Sequence, residues 1–341
     1  AGRTDLAVQS ARQLRNQGPD DLSTLERLGR AELAAGLTED AKATFLRLAE
    51  LSPSEGKMLE PAARYLMRVG DQEGARKTLV KATLFDPDHL ASHISLIRLE
   101  MKMELYDKAL QRSNALIAKL PKQPVAYNLK GDVLLKTGKL KKAIRAYEAG
   151  LRIEESGPLL IRLQLAHSAL GNPKASFRRI KRWAAENPTD VPVRRVVADV
   201  YIGLKNTKAA IAEYEDLRNR ELADADILNN LAWLYQQKND DRALETAEEA
   251  YRLAPQNARV LDTLGWILVR DESNTARGLD YLRDAYSRAA NRPAIRYHLA
   301  VALSQLDRKE DALNFLDGLL KFGGKGDIYE KAKLLRERLR Q

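Results

Sequence analysis

Apolar and small residues recur along this chain at an interval far longer than a helical turn. In the first series, a small or medium-sized residue follows a Leu-like position at intervals of 33 to 35 residues. Its members are Gly29, Ala63, Ile97, Gly131, Gln164, Ala198, Ala232, Gly265 and Ala300. A second series of small residues, each about a dozen positions later, consists of Ala41, Ala75, Ala109, Ala143, Ser176, Ala210, Ala243, Gly278 and Ala312. The pattern predicts consecutive pairs of helices that approach closely where side chains are small.

Prolines and glycines mark the ends of these predicted helices. Proline cannot continue an intrahelical hydrogen-bond ladder, so it predicts where the second helix of a pair stops. The proline series is Pro19, Pro53, Pro87, Pro121, Pro188 and Pro255, with Glu155 and Leu222 at the two positions where it lapses. The end of a first helix is marked by a glycine, which adopts a left-handed cap at low cost, at Gly36, Gly70, Gly138 and Gly171.

The 34-residue period with small residues and prolines at these offsets resembles the tetratricopeptide repeat (TPR) family over nearly the whole chain. This resemblance implies an all-α fold, a right-handed superhelical solenoid of helix-turn-helix repeats, or α-α superhelix. We expect one solenoid over residues 1–341, with a partial repeat in 1–18, about nine repeats in 19–325 and a capping helix in 326–341. Since the chain opens inside a helical pattern, we also expect further repeats upstream.

Composition narrows the functional classes. The absence of cysteine excludes a disulfide scaffold, a cysteine-ligated zinc or iron-sulfur site and a cysteine nucleophile. The net charge of +10 arises from 57 basic residues scattered among 47 acidic ones, which is typical of solvated helix faces and does not indicate specific nucleic-acid binding. The densest basic clusters are Lys139, Lys141, Lys142 and Arg145, then Lys174, Arg178, Arg179, Lys181 and Arg182, then Arg194 and Arg195. No apolar run is long enough to predict a transmembrane segment.

Catalytic or metal-binding chemistry has little support in the sequence. His89 and His93 have metal-ligand spacing on one helix face, beside Asp86 and Asp88, but no third histidine is local. An aspartate there is explained more simply as a helix cap. His167 and a fourth histidine, His298, lie inside predicted helices, and the chain has neither a phosphate-binding glycine loop nor a serine nucleophile elbow. We therefore expect no enzyme activity, no metal and no cofactor.

A binding groove is the better-supported site. In TPR solenoids the first helices line the groove, which is reached by residues just before and after the crossing position. Applying that offset nominates Asn128, Asp132, Arg162, Arg195, Asp199, Asn229, Asn230, Trp233, Gln236, Gln237, Asp262, Trp266, Arg270 and Tyr297, with Ser304 and Gln305 beyond them. Amides and indoles suit a protein or peptide partner, and a polysaccharide as a further ligand. Trp233 and Trp266 have a second interpretation as packing between repeats.

The C-terminal repeats carry a narrower resemblance. The runs NNLAWLYQQKNDDRALETAEEAYRLAP, VLDTLGWILV and IRYHLAVALSQLDRKEDAL resemble the C-terminal end of TPR lipoproteins encoded with exosortase (PEP-CTERM) systems. That resemblance implies a periplasmic scaffold for exopolysaccharide production or surface protein sorting, tethered to the membrane by a lipidation signal upstream of this chain. Two alternatives stay open, namely a cytoplasmic adaptor or regulatory subunit of an enzyme assembly, and a solenoid that binds carbohydrate directly.

Overall fold

The computed structural model describes residues 2–17, 21–51, 56–321 and 323–341, with side chains undescribed at 2–5, 14–17, 56–58 and 272. Within that part of the chain all regular structure is helical, as predicted from the repeat pattern. The chain divides into two compact units, residues 1–179 and 180–341. The prediction of one continuous array over residues 1–341 stays a prediction.

Twenty α-helices follow one another in the described residues, and from α2 to α19 they alternate as the first and second helices of successive pairs. Unit 1 contains α1 (Gly2–Gln17), α2 (Leu22–Ala34), α3 (Thr38–Leu51), α4 (Gly56–Arg68), α5 (Gln72–Phe85), α6 (Leu90–Lys102), α7 (Tyr106–Lys119), α8 (Pro124–Lys136), α9 (Leu140–Ile153) and α10 (Gly157–Ala169). Helix α11 (Lys174–Glu186) includes residues of both units. Unit 2 continues with α12 (Val191–Gly203), α13 (Thr207–Asn219), α14 (Ala225–Gln237), α15 (Arg242–Leu253), α16 (Ala258–Arg270), a 3-10 turn (Glu272–Asn274), α17 (Thr275–Arg288), α18 (Pro293–Gln305), α19 (Lys309–Lys321) and α20 (Asp327–Arg340).

The proline series ends second helices as predicted wherever the structure describes it. Pro87, Pro121, Pro188 and Pro255 each stand two residues beyond the last residue of α5, α7, α11 and α15. Pro19 and Pro53 lie outside the described residues. The missing amide hydrogen of proline therefore prevents these second helices from continuing past that point.

The turns between the helices of a pair adopt the left-handed backbone that the glycines predicted. Gly36, Gly70, Gly138 and Gly171 have φ of 77°, 86°, 70° and 79°. The same turn elsewhere uses residues with a Cβ, and Glu104, Lys205, Asn239 and Asp307 have φ of 60°, 58°, 51° and 57°. Left-handed backbone costs such residues roughly 1 to 2 kcal/mol, so the helices on either side must hold those turns in place.

Small residues lie where the two helices of a pair cross. A Cβ added to Gly29 would lie 2.6 Å from the Phe45 ring, and one added to Gly265 would lie 2.9 Å from the carbonyl oxygen of Gly278. Leucine and alanine side chains buried between the helices form the core of each unit. The crossing series therefore reflects steric contact between the helices, as the sequence predicted.

Candidate functional site

The first helices of unit 2 lie side by side and form one surface. Helix α14 packs against α16, α16 against α18, and α18 against the last helix, α20. We call the surface formed by α12, α14, α16, α18 and α20 the first-helix face of unit 2. It carries the predicted site residues from Arg195 to Tyr297.

A polar network connects three consecutive first helices on this face. The hydroxyl of Tyr214 donates to Asp199 Oδ1 at 3.3 Å and accepts from Asn230 Nδ2 at 3.3 Å. The guanidinium of Arg259 then donates to Asn230 Oδ1 at 3.1 Å. Burial, followed by the neighbouring carboxylate of Asp199, raises the pKa of Tyr214 to about 12, so its hydroxyl stays protonated. Asp199 and Asn230, which the sequence nominated separately, therefore belong to one network.

Asp199 is exposed as a residue, but the surrounding protein atoms partly desolvate its carboxylate and raise its pKa above the ordinary value of 3.8. A raised carboxyl pKa means that the ionised form opposes folding at neutral pH, and that this effect vanishes below the ordinary pKa. We therefore expect Asp199→Asn to raise the thermal midpoint at pH 7, by an amount that shrinks as the pH falls towards 3.8. Circular dichroism melts of parent and variant from pH 7 to pH 3 measure this difference.

Asp216 is a control for this prediction, because its pKa is shifted in the opposite direction from that of Asp199. Hydrogen bonds from Arg220, whose Nε lies 2.8 Å away, and from Arg194 lower the pKa of Asp216 below its ordinary value of 3.8. Its ionised form therefore favours folding above pH 3.8, and Asp216→Asn should lower the midpoint at pH 7. A lower midpoint for both variants would contradict the assignment of Asp199 as a desolvated acid.

An aromatic stack forms the next part of the face. The indole of Trp266 lies on the imidazole of His298 with ring centroids 4.2 Å apart, and Tyr297 lies beside the indole at 6.2 Å. The carboxylate of Asp262 is 2.7 Å from His298 Nδ1 and fixes the orientation of the imidazole. His298 is thus a packed and hydrogen-bonded helix histidine, as its position in the sequence predicted. This arrangement leaves Trp266 only partly buried.

A cavity of about 350 Å³ opens beside this stack, between α16, α18 and α20. Its lining consists of Trp266, Arg270, Tyr297, Val301, Ser304, Gln305, Lys331, Leu334, Leu335 and Arg338. Arg270 and Arg338 have no ion-pair or hydrogen-bond partner among the described residues, whereas Lys331 pairs with Asp327 at 2.6 Å. The cavity therefore combines an aromatic floor with two uncompensated cations, an arrangement that suits an apolar group next to a negative charge.

The other predicted residues of unit 2 differ in accessibility. Trp233 is 38% exposed and Gln237 is exposed, whereas Gln236 is partly buried and lines a separate cavity of about 400 Å³. Asn229 is only 5% exposed, and its Oδ1 has no hydrogen-bond partner among the described residues. Arg195 donates to Asp224 at 2.6 Å at the surface. The structure thus exposes Trp233 and leaves Asn229 little direct access to a ligand.

The predicted residues of unit 1 form a smaller cluster. Asp132 accepts the hydroxyl of Tyr147 at 2.8 Å and Arg162 Nε at 2.9 Å, so α8, α9 and α10 are connected through one carboxylate. Burial, and then the Asp132 charge, raise the pKa of Tyr147. Asn128 lies one turn before Asp132, with its Oδ1 buried and unpartnered within the described residues. Because Asp132 and Arg162 satisfy each other, this cluster stabilises the helix packing and offers a ligand few free groups.

The two histidines at the start of α6 make local hydrogen bonds. His89 Nδ1 lies 2.7 Å from the Ser92 hydroxyl, and His93 Nε2 lies 2.9 Å from the carbonyl oxygen of Pro87. The N-cap of α6 is His89 itself, so the expected aspartate cap from Asp86 or Asp88 is wrong at this helix. No group of three or more His, Cys, Asp or Glu side chains suited to a metal is found among the described residues.

The sequence did not identify every residue of the site. Lys331, Leu334 and Arg338 were missed because α20 was interpreted only as a capping helix, and the exposure of Leu334 emerges only from the structure. A cavity of about 460 Å³ in unit 1 is a weaker candidate, since Arg12 in its lining pairs with Asp40 at 2.7 Å. None of the described helices is long and apolar enough to cross a membrane.

Comparison with protein families identifies the repeats. A model described as a tetratricopeptide repeat-like domain matches residues 30–170, and one described as a tetratricopeptide repeat matches residues 1–56 and 198–258. Together the two models match residues 1–170 and 198–258 as tetratricopeptide repeats, which supports that resemblance over these residues. The narrower resemblance to exosortase-linked lipoproteins stays a prediction.

Individual proteins similar to this chain are distant in sequence. The BBSome complex member BBS4 of Bos taurus is 23% identical over 282 residues, which are 81% of this chain and 53% of that protein. The chain thus spans about half the length of this relative. A tetratricopeptide repeat protein from Parabacteroides merdae has a TM-score of 0.52 at 17% identity, covering 73% of this chain and 98% of that one. The APC/C hetero-tetramer Cut9-Hcn1 has a TM-score of 0.52 at 10% identity, covering 99% and 88%. These two structures support the fold.

Proposed function

We propose that this chain is a non-catalytic scaffold that binds protein partners through the first-helix face of unit 2. The cavity of about 350 Å³ beside Trp266 and Tyr297 is the observation that carries this proposal. Aromatic residues and arginine provide much of the binding energy at protein interfaces, and this cavity places both types together. Trp233, exposed two repeats before α18, extends the apolar surface along the same face.

The chemistry of this face fits an extended peptide segment. An apolar side chain of the partner would enter the cavity against Trp266, while Arg270 and Arg338 would receive a neighbouring carboxylate. The exposed amide of Gln237 and the indole of Trp233 are available to the peptide backbone and to a further apolar side chain. A polysaccharide could stack on the same indole, which makes glycan binding an outcome to be measured.

We further propose that the partners belong to a bacterial envelope system for exopolysaccharide biosynthesis or export, or for exosortase-linked surface protein sorting. The C-terminal runs around NNLAWLYQQ and TLGW support this proposal through their resemblance to TPR lipoproteins of such systems. The bovine relative is a member of a multiprotein complex, which agrees with an interaction role. A periplasmic location, with a membrane tether upstream of residue 1, is part of the same proposal.

A pull-down from the envelope fraction of the native host tests the proposal, with the chain and its Trp233→Ala variant as baits. The parent should recover polysaccharide-export or sorting proteins, and Trp233→Ala should recover at least fivefold less, since an interface aromatic contributes 1 kcal/mol or more, on the order of a fivefold change. Leu253→Ala is the matched control, because Leu253 is also an exposed apolar residue, 59% accessible, but lies on the second helix α15.

The outcomes separate the candidate functions. Equal recovery by the parent, Trp233→Ala and Leu253→Ala would remove the exposed indole of Trp233 from the binding surface. Recovery of cytoplasmic enzymes alone would replace the envelope assignment with that of a cytoplasmic adaptor. Saturable binding of purified exopolysaccharide, lost in Trp233→Ala, would identify the polymer itself as the ligand.

A further inference from the structure

A second cavity, in unit 1, has a lining that the proposed function does not use. It has a volume of about 420 Å³ and lies between α7, α8 and α9. Its apolar lining includes Leu110, Tyr127 and Leu134. We call it the cationic pocket, because four basic side chains also line it, namely Lys130, Lys139, Lys142 and Arg145.

Each helix contributes one face to this pocket. Helix α8 contributes Tyr127, Lys130 and Leu134 at positions i, i+3 and i+7, and α9 contributes Lys142 and Arg145 three residues apart. Leu134 is 3% exposed, so the apolar part reaches the core, while Lys139, Lys142 and Arg145 are exposed. The pocket therefore has an apolar interior and a cationic rim.

The described residues do not neutralise the positive charge of the rim. None of its four basic side chains has an ion-pair or hydrogen-bond partner among the described residues. The three helices carry three carboxylates, of which Asp132 accepts from Arg162 at 2.9 Å and Glu148 pairs with Arg179 at 3.2 Å. The third, Asp107, does not line the pocket. A like-charged cluster around an apolar cavity lowers stability unless an anion offsets it.

The start of α9 adds to this positive potential. Lys139 is the N-cap of α9 and makes no side-chain capping bond, and the first turn of the helix contains no acidic residue. The amino-terminal end of a helix carries partial positive charge, so the lysines there are placed against the helix dipole. A bound anion would satisfy both the helix end and the basic rim.

We propose that the cationic pocket binds a small organic anion with an aliphatic or aromatic body, such as a single-chain carboxylate. The body fills the cavity against Leu110 and Leu134, and the acidic group lies between Lys142, Arg145 and the start of α9. The volume of about 420 Å³ falls within the range of small-molecule pockets and suits a single ligand. A flat membrane surface would not use the buried apolar interior. This site is independent of the first-helix face of unit 2.

Calorimetric titration of the whole chain with decanoate at low salt tests this proposal. Saturable binding at one site is expected, weakened about tenfold or more in the double variant Lys142→Gln, Arg145→Gln, because hydrogen bonds to charged groups are lost. Ala149→Leu, which extends into the cavity, should abolish binding. Lys141→Gln is the matched control, since Lys141 lies in the same turn of α9 but not in the lining, and it should bind decanoate like the parent.

Further ligands test the chemistry of the site. Decyltrimethylammonium, which has the same body and the opposite charge, should not bind, and inorganic phosphate should bind far more weakly than decanoate. Equal affinity for any of these, an equal loss in Lys141→Gln, or binding only to phosphatidylglycerol vesicles would overturn the proposal. Circular dichroism establishes whether each variant is folded. If Ala149→Leu does not fold, the double variant Lys142→Gln, Arg145→Gln still tests the proposal.

Discussion

Gly131→Leu is expected to destabilise unit 1 by about 1 to 3 kcal/mol, the usual cost of overfilling a packed helix crossing. A Cβ at position 131 would lie 2.2 Å from Cε1 of Tyr147, which is closer than two non-bonded carbon atoms can approach. The ring cannot rotate away freely, because Tyr147 is fully buried and its hydroxyl donates to Asp132 at 2.8 Å. Urea unfolding followed by circular dichroism at 222 nm measures the loss as a lower midpoint.

Gly203→Leu is the control for this substitution. Gly203 is also helical, at the end of α12, but a Cβ there would meet nothing within 4 Å. Its effect should stay within about 1 kcal/mol, in the range of surface substitutions and helix propensity. A double variant, Gly131→Ala with Tyr147→Leu, should lose less stability than the sum of its single variants, since the smaller side chain relieves the clash. An unchanged midpoint for Gly131→Leu would contradict the helix crossing itself.

The fold could be predicted in large part because its determinants are local and periodic. Small residues such as Gly131 and terminators such as Pro121 have a steric effect that does not depend on their distant surroundings. The turns at Glu104 and Lys205 could not be predicted in this way, because their left-handed backbone is imposed by the flanking helices and not by the residue. Only the turns marked by glycine were predicted, because the residue types at positions 104 and 205 give no signal of this conformation.

The site residues could be predicted only as far as a residue's distance from the crossing position determines where its side chain points on the helix. Neighbouring residues on a helix point about 100° apart, so nominating both Asn229 and Asn230 included one side chain that the structure buries. Offset also gave no information on contacts between elements far apart in the chain. Arg259, which donates to Asn230 across 29 positions, and Arg338, which joins Trp266 in one cavity, therefore emerged only from the structure.

The two tryptophans that the sequence treated alike occupy different environments. Trp233 is 38% exposed, whereas Trp266 is stacked on His298 and packed against the core of unit 2. The packing interpretation therefore applies to Trp266, whereas the contact of Trp233 with a ligand stays a prediction. Trp266 also lines the cavity beside α18 and α20, so its ring is packed in the protein and still accessible from that cavity.

Trp266→Ala is accordingly expected to destabilise unit 2 by about 2 kcal/mol, less than the 3 to 5 kcal/mol typical of a fully buried tryptophan because its ring is only partly buried. The stack with His298 would be lost, and the imidazole held by Asp262 would gain access to water.

Trp233→Ala, by contrast, should change the free energy of unfolding by no more than about 0.5 kcal/mol, because an exposed side chain leaves no cavity. Urea unfolding of both variants, read together with partner recovery, separates the two roles. Equal losses of stability in the two variants would contradict the assignment of packing to Trp266 and of partner binding to Trp233. A Trp233→Ala chain that stays stable but fails to recover its partner would place recognition at the exposed indole.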